Sequence, residues 1–284
     1  MNEIWQYYNI LNQNNSIGFF KTKSELKNKL KALEHIVEHG QISDVRQLSH
    51  SLHSNPNIQK QIWESAALIY LKHYSEGDHY DSLRECCIGL NDIALFESYE
   101  NAEIRAILLS IASMNGNGYV REKAIIALIK LQHPIAILFL LFRLSDWVEP
   151  IRKVAMIGIE YYLKAEFLHT FIKNIKTIEN LKNVERIDLN GIYIKITDYI
   201  SSENRQYVIQ NFKNFHDTER PILSKHLLKN FNVNKDELLL LIRDKHFLVR
   251  SEVLKRIEIL DDTFIQILLR DKSAYIRLNT LYGM

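Results

Sequence analysis

Four places in this 284-residue chain hold residue types that do chemistry. His35-Ile36-Val37-Glu38-His39 sets two imidazoles four residues apart. On a helix that spacing puts both rings on one face, where His35 and His39 are candidates to share a zinc ion if a carboxylate from a distant segment joined them. The only cysteines, Cys86 and Cys87, are adjacent. That geometry disfavours a disulfide and leaves thiol reactivity or simple packing. Asn115-Gly116-Asn117-Gly118 is glycine-rich but lacks the Lys and the preceding strand that a phosphate-binding loop needs, so it reads as a turn. Finally Arg143, Lys176, Lys213, Arg243 and Arg270 recur near the ends of apolar stretches. There they are candidates for a basic binding stripe facing phosphates or acidic peptides, or for cations complementing helix C-termini.

The elements that must position these residues repeat. Asp244-Lys-His-Phe-Leu-Val249-Arg250 aligns with Asp271-Lys-Ser-Ala-Tyr-Ile276-Arg277 and with Asp146-Trp-Val-Glu-Pro-Ile151-Arg152. Asn115 to Arg121 and Asp78 to Arg84 are two more copies, and residues 180–186 and 214–220 are degenerate ones with Glu185 and Glu219 before the arginine. The arginines fall at 84, 121, 152, 186, 220, 250 and 277, at intervals of 27 to 37 residues. Each is followed by an apolar stretch of helical period, such as Val120, Ala124, Ile125, Ala127, Leu128 and Leu131. A break follows, as at Gln132-His133-Pro134, and then a second apolar helix. Tandem two-helix units of this length predict an all-α protein, an α-solenoid of helical hairpins. Residues 78–284 form the regular part. Residues 1–77 are helical with degenerate repeats continuous with it, with helical period over 24–37, 42–52 and 58–74; a further such stretch, 102–114, lies within the regular part. The last unit begins a first helix at 271–284 without a second, so the expectation is a continuing chain or a helix packed on another one.

The D-x4-[VIL]-R pattern resembles the HEAT-repeat family of armadillo-like α-solenoids. A small residue three positions after the arginine adds to the resemblance in five copies, Cys87, Ala124, Ala155, Val253 and Thr280, with Leu189 and Leu223 in the degenerate ones. The resemblance implies that each Arg reaches the neighbouring repeat's Asp in a structural ladder made of Asp78, Arg84, Asn115, Arg121, Asp146, Arg152, Asp244, Arg250, Asp271 and Arg277. It also implies that second helices line a concave surface, which would carry the basic stripe. Before a helix, the Asp or Asn can accept bonds from the first backbone amides, so the recurrence of these residues points to architecture and not to catalysis.

Composition sets the outer bounds. Hydrophobic residues make up 46% and charged residues 25%, enough apolar surface for a folded core. Nine glycines and four prolines are few for a many-stranded fold. The net charge is +2, far from that of a committed nucleic-acid binder, although residues 141–284 hold 23 Lys/Arg against 19 Asp/Glu. No secretory signal pattern, disulfide framework or membrane-length apolar run is present, which implies a cytoplasmic protein with no membrane association. No nucleophile–base pair or cofactor fingerprint is present, so neither catalysis nor a cofactor is expected. The leading expectation is a non-catalytic scaffold binding a protein partner along its concave face. The alternative is a nucleic-acid-binding or DNA-repair protein similar to the HEAT-like alkylpurine DNA glycosylases. Trp147 beside Asp146 and Arg152 is the local match to that group's aromatic and acidic residues.

Overall fold

The computed structural model describes residues 4–13, 21–52, 56–73, 80–229 and 233–283. Among them the chain is all-helical, with no strand. It divides into two compact units, Met1–Tyr162 and Leu163–Met284. The sequence boundary at 77/78 falls inside the first.

The first unit contains α1 (Ile4–Asn12), α2 (Lys21–His39), α3 (Ile42–Ser51), α4 (Gln59–His73), α5 (Tyr80–Arg84), α6 (Leu90–Glu97), α7 (Ala102–Ala112), α8 (Gly118–Leu131), α9 (Ala136–Arg143) and α10 (Glu149–Tyr162). Helices two apart in sequence pack side by side: α6 on α8, α8 on α10, and α7 beside α9. Each also packs on its hairpin partner, α7 on α8 and α9 on α10. The helix starts are set locally. Asn101 accepts bonds from the Glu103 and Ile104 amides, and Asn117 accepts from Tyr119. The end of α8 is set by Gln132, which turns left-handed (φ 55°) just before His133-Pro134, where a helix cannot continue. The core is continuous along the unit. Trp63 is fully buried with its ring edge-on to Phe96 at 4.8 Å, and Tyr162 is fully buried with its hydroxyl donating to the Leu128 carbonyl at 3.1 Å.

The second unit contains α11 (Leu168–Lys173), α12 (Ile175–Asn180), α13 (Asn190–Asp198), α14 (Arg205–Asn211), α15 (Arg220–Lys229), α16 (Lys235–Ile242), α17 (Phe247–Leu254), α18 (Asp262–Leu269) and α19 (Ala274–Gly283). Its C-terminal half shows the same arrangement: α15, α17 and α19 pack in series, and α16 lies beside α18. Its N-terminal half is more broken. The apolar stretch at 167–175 is divided between α11 and α12 at Asn174, and a π-helical turn, Tyr199–Glu203, follows α13. The stretch at 253–259 leaves the α-helix after Leu254 and ends in a 3-10 turn, Ile257–Ile259.

The small positions after the arginines behave alike with one exception. Ala124, Ala155, Val253 and Thr280 are fully buried against neighbouring helices. Cys87 is exposed, and Cys86 is the buried thiol. The five-residue α5 stops at Arg84, so the residue three places on is no longer on a helix face.

Candidate functional site

The recurring turns have one local design. A side-chain oxygen of Asn115, Asp146, Asp244 and Asp271 accepts the backbone N–H two residues on, from Asn117, Val148, His246 and Ser273, at 2.7 to 2.9 Å. This closes the turn and starts the next helix. The arginine six residues later folds back over the same turn. Arg121 Nη1 donates to the carbonyls of Asn115 and Gly116 at 2.9 and 3.0 Å; Arg250 Nη1 donates to those of Asp244 and Lys245 at 2.8 and 3.1 Å. Arg152 and Arg277 bond their own turns in the same way.

In Arg121 and Arg250 the remaining guanidinium donors reach forward to the next turn, whereas these bonds of Arg152 and Arg277 stay on their own turns. Arg121 grips Asp146 with two parallel bonds of 2.9 and 2.8 Å, and Arg250 grips Asp271 with bonds of 2.6 and 3.0 Å. Arg220, from a degenerate copy, pairs with Asp244 at 3.0 Å. Glu219, the residue that breaks the sequence pattern there, accepts the His216 N–H at 2.8 Å and so closes its own turn. Burial pushes the Asp146 and Asp271 carboxyls up, but their arginine and backbone donors outweigh it and hold both below the ordinary range. Arg84 is exposed, and its carbonyl accepts the Gly116 N–H at 2.8 Å. Asp78 lies outside the described residues. Arg186 sits in the turn before α13, four residues short of the helix start.

The five residues proposed as a basic stripe do not form one set. Arg143 departs from the expectation of a surface cation: it is 4% exposed, and its Nη1 lies 2.9 Å from Asp146 Oδ2. The reason is register. Arg143 precedes its turn acid by three residues, one helical turn, which carries its guanidinium inward; Lys213, Arg243 and Arg270 directly precede Asn214, Asp244 and Asp271 and are exposed. Lys176 is exposed within α12, outside that register.

A second cluster escaped sequence reasoning. Glu179 on α12 accepts Tyr193 Oη at 2.7 Å, His226 Nε2 at 2.7 Å, Lys182 Nζ at 2.6 Å and Lys225 Nζ at 3.0 Å. Burial raises the Glu179 carboxyl, yet the four donors pull it far below the usual carboxylate range. Burial lowers His226 despite the adjacent carboxylate. Glu179 and His226 are 47 residues apart and join α12 to α15, so no local spacing marks them. The cluster offers acid–base groups, but all of them bond one another.

The other candidates resolve into packing. The His35 ring stacks between Tyr7 (centroids 3.8 Å apart) and His39 (4.2 Å). Among the described residues no group of three His, Cys, Asp or Glu is placed to hold a metal ion. Burial pushes the Cys86 thiol up to about 12, away from reactivity, and Cys87 Sγ lies 3.8 Å from His50 Nε2. Among the described residues no helix is long and apolar enough to cross a membrane. No protein-family model matches the chain, and no curated protein matches it either.

Proposed function

We propose that this protein is an α-solenoid of HEAT-like repeats and acts as a non-catalytic scaffold that binds a protein partner. The observation that supports this is the repeated bond set of Arg121, Arg220 and Arg250. Each uses its guanidinium on its own turn and on the acid of the next one, so the residues that recur are consumed in stacking one hairpin on another. Stacked hairpins leave long helical faces for contact. The first unit also presents large apolar side chains to solvent: Tyr119, Trp147 (83% exposed), Ile157 and Tyr161. Exposed aromatic side chains such as Tyr119, Trp147 and Tyr161 are of the type enriched at partner interfaces.

Two measurements test the proposal. Small-angle scattering of the whole chain should give an elongated profile; a compact globular profile contradicts the solenoid. Cross-linking from a photoreactive side chain placed at Ile157 should recover one protein reproducibly, and Trp147→Asp should abolish that recovery. Turnover of a substrate by the purified chain would contradict the scaffold.

A further inference from the structure

The turns before α17 and α19 repeat an outward-facing pattern that the ladder does not use. The first reads Arg243-Asp244-Lys245-His246-Phe247, the second Arg270-Asp271-Lys272-Ser273-Ala274-Tyr275. In both the acid is turned inward and neutralised by a ladder arginine, Arg220 on Asp244 and Arg250 on Asp271. What remains outside is cationic and aromatic. Arg243, Lys245, Arg270 and Lys272 are all exposed, and none makes an ion pair among the described residues. Phe247 and Tyr275 (59% exposed) stand next to them with ring centroids 6.4 Å apart and planes at 85°.

We infer that these two turns form a binding site for single-stranded nucleic acid. Four cations that make no ion pair among the described residues supply phosphate contacts, although Lys272 also acts on the adjacent Asp271 carboxylate, and two adjacent exposed rings supply stacking faces for bases. The ligand class follows from the alternation. A polynucleotide brings an aromatic ring with every phosphate, whereas an acidic peptide has no aromatic ring tied to each charge. Strandedness follows from the ring planes. Rings at 85° face different directions, so bases that stack on both must be splayed apart, as they are in a single strand and not in a duplex. This goes beyond the scaffold reading and does not rest on it, because it uses the turn edge of the second unit alone.

The test is fluorescence anisotropy of the whole chain with a labelled 12-nucleotide oligo-dT and oligo-U across a salt series. The chain should bind the single strands more tightly than a 12-base-pair duplex or a poly-glutamate peptide of equal charge. Arg243→Glu/Arg270→Glu should weaken oligonucleotide binding at least ~10-fold at low salt and flatten the salt slope by about 1.4, the value for two lost single-strand phosphate contacts. Lys173→Glu/Lys176→Glu makes the same change in net charge at exposed sites outside the pattern and should shift binding less than about twofold. Phe247→Ala/Tyr275→Ala should weaken binding ~5-fold or more at every salt concentration. Melting curves of each variant report folding. Absence of binding by the parent chain, equal losses in both charge-reversal pairs, or preference for the duplex or the peptide would each overturn the inference.

Discussion

The turn before α10 and the turn before α17 are built on the same rung and present opposite exteriors. At α10, Asp146 takes two buried arginines, Arg121 and Arg143, and what faces solvent is Trp147, Val148 and Glu149. At α17, Asp244 takes Arg220, and what faces solvent is Arg243, Lys245 and Phe247. The rung sets how hairpins stack, and the residues between the rung's members are free to differ. A shift of two positions, from three before the acid to one before it, moves an arginine from the core to the surface. A basic side chain at the end of a helix is therefore a binding candidate only once its register to the turn acid is known.

The largest effect should come from removing the doubly used acid. Asp146→Ala leaves Arg121 and Arg143 without their carboxylate in a buried site, and breaking buried pairs costs about 3–5 kcal/mol. Asp271→Ala strands one buried arginine, Arg250, where Asp146→Ala strands two, and should cost less. Urea midpoints of the two variants would rank them, and an Asp271 loss equal to or larger than the Asp146 loss would break the comparison. Arg143→Ala should follow, because it leaves Asp146 one bond short yet still held by Arg121; its cost should be about 1–3 kcal/mol. Arg243→Ala should shift the midpoint little, as surface substitutions do.

A pH effect of middle size is specific to the second unit. Glu179 titrates well below its ordinary value of 4.5, so its contribution is present above that pH and is lost as pH falls through its lower folded value. His226 lies below its ordinary 6.5, so the folded state keeps the imidazole neutral; that contribution is full above pH 6.5 and falls below it. Both act in one direction, and acid loosens the contact of α12 and α13 with α15. Hydrogen exchange in these helices should therefore speed up from pH 7 to 5, after correction for intrinsic rates, and more steeply below pH 4.5. Glu179→Gln should remove the steep limb, and an unchanged profile in that variant would show that the cluster does not link the helices.

Much of the helix pattern could be read from residue spacing, because periodicity and breakers are local. The expected stretches at 24–37, 42–52 and 58–74 correspond to α2, α3 and α4, and Pro134 marks the gap between α8 and α9. The ladder bonds of Arg121 and Arg250 join residues whose types recur at regular intervals, so the sequence points to them. Arg220 falls in the same series, but the ladder read from the sequence does not include it, because Glu219 breaks the pattern beside it. The Glu179 cluster was invisible because it is assembled by packing between distant helices. The burial of Arg143 was hidden for a related reason: its side-chain direction depends on helix phase, which similar placement near an apolar stretch does not fix. Cys87 was misplaced inward because α5 ends at Arg84, three residues before it.

We propose that rung and exterior are separate, the rung holding the fold and the exterior meeting ligands. Thermal melting of Arg250→Ala beside Arg243→Glu/Arg270→Glu, each against the parent chain, tests it most directly. Arg250 is buried and holds two turns at once, so its loss should lower the melting temperature by at least about 6 °C. The double reversal changes two exposed side chains and should move it by no more than about 2 °C. Equal losses in the two variants would show that the exposed cations belong to the rung, and the separation would be wrong.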